Sequence, residues 1–154
     1  MRGWRAGWWV LRVGLIGLAG SHGTLAACGD ALPTQGRLVA EAGGLQVLAV
    51  PRPWPVPVGQ QVVLDIVLCM APSAAPGALP GAAPASALPQ DLQVDADMPA
   101  HRHGMNYRPT VRALGDGRFV ADGLLFHMPG RWRLLFAAGD ARKPLRLAAE
   151  FNVE

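Results

Sequence analysis

The sequence predicts an all-β protein: a small antiparallel β-sandwich of the immunoglobulin type with about seven strands. The chain has 154 residues, which is enough for one domain. Short runs of apolar or alternating residues recur between turn-forming residues, 19 Gly and 14 Pro in all, as in strands joined by turns. No long run has the helical period, and no internal repeat is visible. This pattern favours a sandwich over a helical or mixed fold.

The individual strands are predicted from local composition. Gln61–Cys69 gives the strongest signal, because it is nearly all apolar and rich in β-branched residues. The Pro-rich stretch Pro51–Pro57 ends the preceding strand and predicts an edge or polyproline II segment. Gly115–Gly117 lies between two short runs and predicts a hairpin. The predicted strands, in chain order, are Leu45–Val50, Gln61–Cys69, Leu92–Ala96, Thr110–Leu114, Arg118–Ala121, Gly123–His127, Arg131–Ala137 and Leu145–Val153.

Residues 1–27 have the pattern of a signal peptide. Three arginines and no acidic residue accompany a short apolar core at Val13–Gly20, which is too short to anchor the chain in a bilayer. Small residues at Ala26 and Ala27 suit cleavage by a signal peptidase. We therefore expect an exported, periplasmic protein whose folded domain spans residues 28–154.

The charge of the chain comes mainly from this leader. The whole sequence has a formal net charge of +3, but beyond residue 27 it carries eleven basic and eleven acidic residues. A basic face on the folded domain is the usual requirement for nucleic-acid binding. The composition gives no support for such a partner.

The two cysteines, Cys28 and Cys69, allow two interpretations. They could pair as a disulfide, which an oxidising periplasm permits and which would leave no odd thiol. Alternatively, Leu25–Cys28 fits a lipobox, in which Cys28 would carry a lipid and anchor the protein in the outer membrane. The sequence leaves both alternatives open.

Residues 71–89 form an uncharged insertion rich in Ala, Pro and Gly. Such a composition buries too little apolar surface to order itself. We expect a disordered loop that acts as a spacer.

The histidines and methionines beyond the leader are concentrated in two short segments. All three histidines and three of the four methionines lie in Met98–Met105 or in His127-Met128. Imidazole and thioether are neutral ligands that suit copper, the thioether being selective for Cu(I). The candidate metal ligands are therefore His101, His103, Met105, Met98, His127 and Met128.

The spacing of these residues indicates how they could share an ion. If the first segment is extended, His101 and His103 leave the chain on the same face. Gly104 would let the chain turn, so that Met105 folds back as a third ligand. His127 and Met128 are adjacent and would point to opposite faces of a strand. We expect only one of these two to join the site.

The same residues also fit a structural loop. Met98 and Met128 could fill gaps at the edge of the sandwich, and His127 could be a hydrogen-bonded, half-buried side chain. Enzymatic chemistry has little support, because Ser73 and Ser86 lie in the predicted spacer and no phosphate-binding glycine pattern precedes a helix. We expect a protein that is not an enzyme.

Two segments carry a resemblance to a known family. Met98–Met105 has the pattern Met-Pro-x-His-x-His-Gly-Met, and His127–Trp132 has the pattern His-Met-Pro-Gly-x-Trp. Together with Gly115–Phe119, they make residues 60–153 similar to the YtkA-like domain, which is related to the FixH proteins. The resemblance implies an exported or membrane-attached immunoglobulin-like sandwich. FixH itself is tied to copper supply and to assembly of a terminal oxidase.

Three functional hypotheses follow. The first is an exported copper carrier with a His/Met site, which supports respiratory enzyme maturation and passes copper to an exported or membrane redox protein. The second is a non-metal interaction module in which Pro51–Pro57 and the loop Met98–Pro109 dock a partner. The third and weakest is a metal-dependent enzyme with an open coordination position.

Overall fold

A computed structural model of the chain describes residues 28–71 and 88–154. These residues form nine strands, and no helix is present among them. The predicted signal peptide and most of the predicted spacer lie outside the described residues. Within these two ranges, no helix is long and apolar enough to cross a membrane. The strands are β1 (Leu38–Ala42), β2 (Leu45–Arg52), β3 (Gln61–Met70), β4 (Leu92–Met98), β5 (His103–Gly104), β6 (Thr110–Gly115), β7 (Arg118–Leu125), β8 (Gly130–Ala138) and β9 (Leu145–Val153).

The strands form two antiparallel sheets, which confirms the predicted β-sandwich. The five-stranded sheet has the order β1-β2-β3-β7-β6, and the four-stranded sheet has the order β5-β4-β8-β9. Alternate residues of both sheets point inward and form one apolar core. Its largest fully buried side chain is Trp132, and Phe126 packs edge-on against it with ring centroids 5.2 Å apart. Phe126 follows the end of β7 and Trp132 lies near the start of β8, both close to the candidate site.

The N-terminal segment covers part of the outer face of the five-stranded sheet. Leu48, Val67 and Cys69 form a second, smaller apolar cluster, against which Cys28 and Leu32 pack. Cys28 and Cys69 are joined by a disulfide with their Cα atoms 6.1 Å apart. A sulfur in a disulfide is not available for a lipid thioether. The structure therefore supports the disulfide rather than lipidation of Cys28.

The side chain of Arg37 also holds this segment in place. The Arg37 guanidinium donates hydrogen bonds to the carbonyl oxygens of Gly29, at 3.0 Å, and of Leu32 and Pro33. These hydrogen bonds provide donors for backbone carbonyl oxygens of a turn that is not paired in either sheet. The disulfide and Arg37 thus hold the start of the domain against the sheet.

The separate predictions for Arg118–Ala121 and Gly123–His127 were wrong in two respects, because one strand, β7, continues from the first into the second and ends at Leu125, before His127. The register against β3 shifts between the pairs Leu64–Ala121 and Val62–Leu124, so β7 contains one extra residue. Gly123 lies at this bulge with a φ of +87°, which a residue without Cβ adopts easily. The glycine marks a bulge rather than a strand boundary.

The start of the Pro-rich stretch also differs from the prediction. Strand β2 continues to Arg52, and Pro51 pairs with Leu64 of β3. The pairing with β1 ends at Ala49, so Pro51 has no second neighbour that would need its missing N–H. Arg52 reaches Asp65 across the same strand pair, with Nη2 and Oδ1 2.9 Å apart, and this hydrogen bond and charge raise the pKa of Arg52.

Candidate metal centre

The predicted His and Met residues come together where β4 and β7 end and β8 begins. Met98 is the last residue of β4, and a turn carrying His101 leads from it into β5. His127 and Met128 lie in the short connection between β7 and β8. Two segments separated by about two dozen residues in sequence therefore meet at one end of the sheets.

The three imidazole rings form a continuous row. The ring centroids of His101 and His103 are 5.8 Å apart, and those of His103 and His127 are 5.0 Å apart. Two imidazoles bound to one ion at about 2 Å place their ring centroids about 5–6 Å apart. Each neighbouring pair therefore has a separation compatible with a shared ion, and His103 is the central member.

The ring of His103 has a backbone partner at one nitrogen. Its Nδ1 lies 3.2 Å from the carbonyl oxygen of Gly104. Because a carbonyl only accepts hydrogen bonds, the neutral tautomer that makes this bond has its hydrogen on Nδ1 and its lone pair on Nε2. A backbone hydrogen bond of this kind orients an imidazole for metal binding through the other nitrogen.

Met98 stands directly opposite His103 in the ladder between β4 and β5. Directly opposed residues of an antiparallel pair place their side chains on the same face. Met98 is 4% exposed and forms part of the core, so this is the inward face. His103 is half-buried and covers the same end of the sandwich.

A glycine makes room for Met98. A Cβ added to Gly130 would lie 2.9 Å from Cε of Met98, which is too close for a real contact. The thioether arm of Met98 therefore extends towards the start of β8, beside the connection that carries His127 and Met128. Gly130 has a φ of +119°, a conformation that side-chain-bearing residues rarely adopt.

The other two methionines lie at the border of the core. Met105 and Met128 are both half-buried and pack against the core cluster. The backbone N–H of Met105 donates to the carbonyl oxygen of Ala96 at 3.0 Å, which extends the pairing of β5 beyond its two residues. His127 is exposed while Met128 is half-buried, so the two adjacent side chains differ in burial.

The expectation of an extended segment fails at His101. Its N–H donates to the carbonyl oxygen of Met98 at 3.0 Å, and Arg102 has a φ of +55°, so residues 98–102 form a turn. Only His103 and Gly104 are paired as a strand. The turn still brings the His101 ring to that of His103, with His101 on the exposed side.

The neighbouring carboxylates do not belong to this cluster. Asp95 and Asp97 alternate with inward-facing Ala96 and Met98, so they lie on the opposite face of β4. Both Asp97 oxygens accept from Arg133, with Nε and Oδ1 2.9 Å apart, and this hydrogen bond raises the pKa of Arg133. Asp95 accepts from the N–H of Ala96 at 2.8 Å.

The three imidazoles do not form a three-nitrogen site. Among residues 28–71 and 88–154, no group of three or more His, Cys, Asp or Glu side chains is arranged to hold a metal ion. The available donors are pairs of imidazoles and the neighbouring thioethers. Such a mixed set fits copper, since zinc usually takes cysteine or carboxylate beside histidine.

Trp132 is a member of the cluster for which no role was predicted. Its ring contacts His103 and His127 edge-on, with centroids 5.8 Å and 5.6 Å apart. Its Nε1–H donates to the carbonyl oxygen of Met128 at 3.0 Å. The only sequence signal was its place in the segment His127–Trp132, five residues after a candidate ligand.

Comparisons with known proteins show only a weak structural similarity. No family model and no curated protein matches the chain, so the resemblance to the YtkA-like domain is not confirmed. Among solved structures, a copper-bound variant of FetP from uropathogenic Escherichia coli strain F11 has 12% identity and a TM-score of 0.44, over 74% of this chain and 92% of that chain. Copper-reconstituted P19 from Campylobacter jejuni has 11% identity and a TM-score of 0.47, over 76% and 94%. The fold assignment rests on the two sheets described above.

Proposed function

We propose that this chain is an exported copper-binding carrier with a mixed His/Met site. The observation that carries the proposal is the row of three imidazoles at one end of the sandwich, with Met98 directly opposite its central member. His103, His127 and Met98 form the inner ligand set. His101 lies at the rim, and Met105 or Met128 completes the coordination.

The donor types favour copper as the ion. The thioether is a soft ligand that selects Cu(I), and imidazole binds either oxidation state of copper. The two aspartates of β4, Asp95 and Asp97, face away from Met98 and are bound by a backbone N–H and by Arg133. The site therefore offers neutral ligands, which match the low charge of Cu(I).

The exposure of the ligands supports a carrier rather than a catalyst. His101 and His127 are exposed, whereas Met98 is buried. An incoming ligand from a partner could replace the exposed imidazoles of His101 and His127 one at a time while the buried thioether still holds the ion. We propose an exported or membrane redox protein as the recipient, which fits a role in respiratory enzyme maturation.

Anaerobic Cu(I) titration of the purified protein tests this function. Bicinchoninate serves as the competing chelator, and the comparison is with the double variant His101→Ala/His103→Ala. Asn106→Ala, in the same loop but without a metal-binding side chain, is the matched control. We expect one tight equivalent in the wild type and in Asn106→Ala, and its loss in the double variant. Equal binding by all three proteins would contradict the proposal.

The interaction-module hypothesis remains the second candidate because of one exposed aromatic residue. Tyr107 is 60% exposed in the loop that follows β5, close in sequence to Arg102 and Arg108. Exposed aromatic and arginine side chains are common anchors of protein interfaces. If the wild type binds no copper, a docking role for this loop becomes the better explanation of the turn and β5.

A further inference from the structure

Trp132 is held rigidly between the core and the imidazole row. It is fully buried, Phe126 packs against it from within the core, and its Nε1–H is fixed by the carbonyl oxygen of Met128. His103 and His127 both contact its ring. An ion held by these two imidazoles would therefore lie next to the indole.

The indole cannot itself supply a conventional ligand. Its only nitrogen carries a hydrogen, has no acceptor lone pair and already donates to Met128. The side of the site that Trp132 covers is therefore closed to water and to other nitrogen or oxygen donors.

This environment affects the two oxidation states of copper differently. Cu(II) prefers a tetragonal arrangement of nitrogen and oxygen ligands, and closing one side removes positions that it needs. Cu(I) is stable with the few soft and neutral ligands that His103, His127 and Met98 provide. A non-coordinating aromatic wall thus disfavours Cu(II) more than Cu(I).

We infer that Trp132 sets the oxidation-state preference of the site, forming an aromatic wall that favours Cu(I) over Cu(II) without ligating the ion. The inference rests on the copper-binding function proposed above. It makes Trp132 a specificity-determining residue that acts through the shape of the site and the exclusion of other donors. A merely structural tryptophan would affect the binding of both ions alike.

The test compares the ratio of Cu(I) to Cu(II) affinities in the purified protein. Cu(I) is measured anaerobically against bicinchoninate, and Cu(II) is measured against glycine, for wild type, Trp132→Phe and Trp132→Leu. Trp54→Phe, which changes an exposed tryptophan, is the matched control. We expect the preference for Cu(I) to fall about tenfold in Trp132→Leu, and to stay within about threefold of wild type in Trp132→Phe.

A second measurement avoids the loss of a buried side chain. Tryptophan analogues with increasing numbers of ring fluorines keep the indole shape and the N–H while weakening the ring quadrupole. Because the wall acts by excluding other donors, we expect the ratio of Cu(I) to Cu(II) affinities in the Trp54→Phe background to stay unchanged on fluorination. A ratio that changes stepwise with fluorination would overturn this cause, since the ring quadrupole attracts the doubly charged ion more strongly.

The outcomes separate the two proposals. If the wild type binds copper but Trp132→Leu leaves the affinity ratio unchanged, or fluorination changes it, the role of Trp132 is overturned and the carrier function stands. If the wild type binds no Cu(I), the carrier function fails and this inference fails with it. A fall in both affinities by the same factor would show a structural role only.

Discussion

Met98 and His103 stand directly opposite each other on β4 and β5, so a core methionine and a candidate ligand share the inward face of the four-stranded sheet. The relationship depends on a strand of only two residues, His103–Gly104. A single substitution can separate the packing of Met98 from its proposed role as a ligand, because leucine fills a similar volume but lacks the sulfur.

We expect Met98→Leu to lower Cu(I) affinity by at least about tenfold, since it removes the soft ligand. The free energy of unfolding should change by less than about 1.5 kcal/mol, because the apolar volume is kept. Competition titration and urea denaturation measure the two quantities. Met70→Leu, on the exposed end of β3, is the matched control and should change neither. Unchanged copper affinity in Met98→Leu would assign this methionine to packing alone.

The position of His103 in the imidazole row predicts an order of effects. His103 contacts both of the other rings, whereas no contact joins the rings of His101 and His127 among those the structure shows. We therefore expect His103→Ala to reduce Cu(I) affinity most, His127→Ala less, and His101→Ala least. The three single variants are compared by the same competition titration. An equal or larger effect at His101 would place the ion at the exposed turn instead.

Gly130→Ala tests the space beside Met98. The added Cβ would meet Cε of Met98 at 2.9 Å, and the φ of +119° is unfavourable for alanine. We expect a destabilisation of about 1–3 kcal/mol together with weaker copper binding. Gly139→Ala is the matched control, because Gly139 has a φ of +86° but no atom within 4 Å of an added Cβ. It should lose stability without loss of copper affinity; a loss of affinity in both variants would point to general destabilisation.

The disulfide should contribute to stability and leave the metal centre unaffected. Cys28 and Cys69 are 41 residues apart in sequence, and closing a loop of this length stabilises a fold by about 3–4 kcal/mol in the chain-entropy model. We expect Cys28→Ser/Cys69→Ser to lose about this much in urea denaturation. Cu(I) affinity should be retained, since the two cysteines pack in the separate outer cluster. Intact mass of the exported wild type should show the disulfide and no lipid; a lipid on Cys28 would overturn the pairing.

Much of the fold could be predicted from sequence because the strands carry strong local signals. Gln61–Cys69 is apolar and β-branched, and Gly115–Gly117 marks the turn between β6 and β7, as the structure confirms. Strand β5 could not be predicted, because two residues are too few to show a pattern and its pairing depends on β4. The bulge at Gly123 was missed because a glycine inside a strand and a glycine between strands look alike in sequence.

The candidate site was likewise only partly predictable from the sequence. The composition of Met98–Met105 and His127-Met128 was enough to select the candidate ligands, but it could not give their arrangement. His101 lies in a turn closed by a backbone hydrogen bond to Met98, which no residue pattern specified. Trp132 joins the cluster through alternation on β8, which places it inward. Such contacts across sheets are set by the tertiary fold and not by local sequence.

X-ray absorption spectroscopy of the Cu(I)-loaded protein tests the central claim, a mixed His/Met site, most directly. The account predicts a low coordination number, with imidazole nitrogen and at least one sulfur bound to copper, and a smaller sulfur signal in Met98→Leu. A spectrum with only nitrogen and oxygen ligands, or one unchanged in Met98→Leu, would contradict the arrangement of His103, His127 and Met98 proposed here.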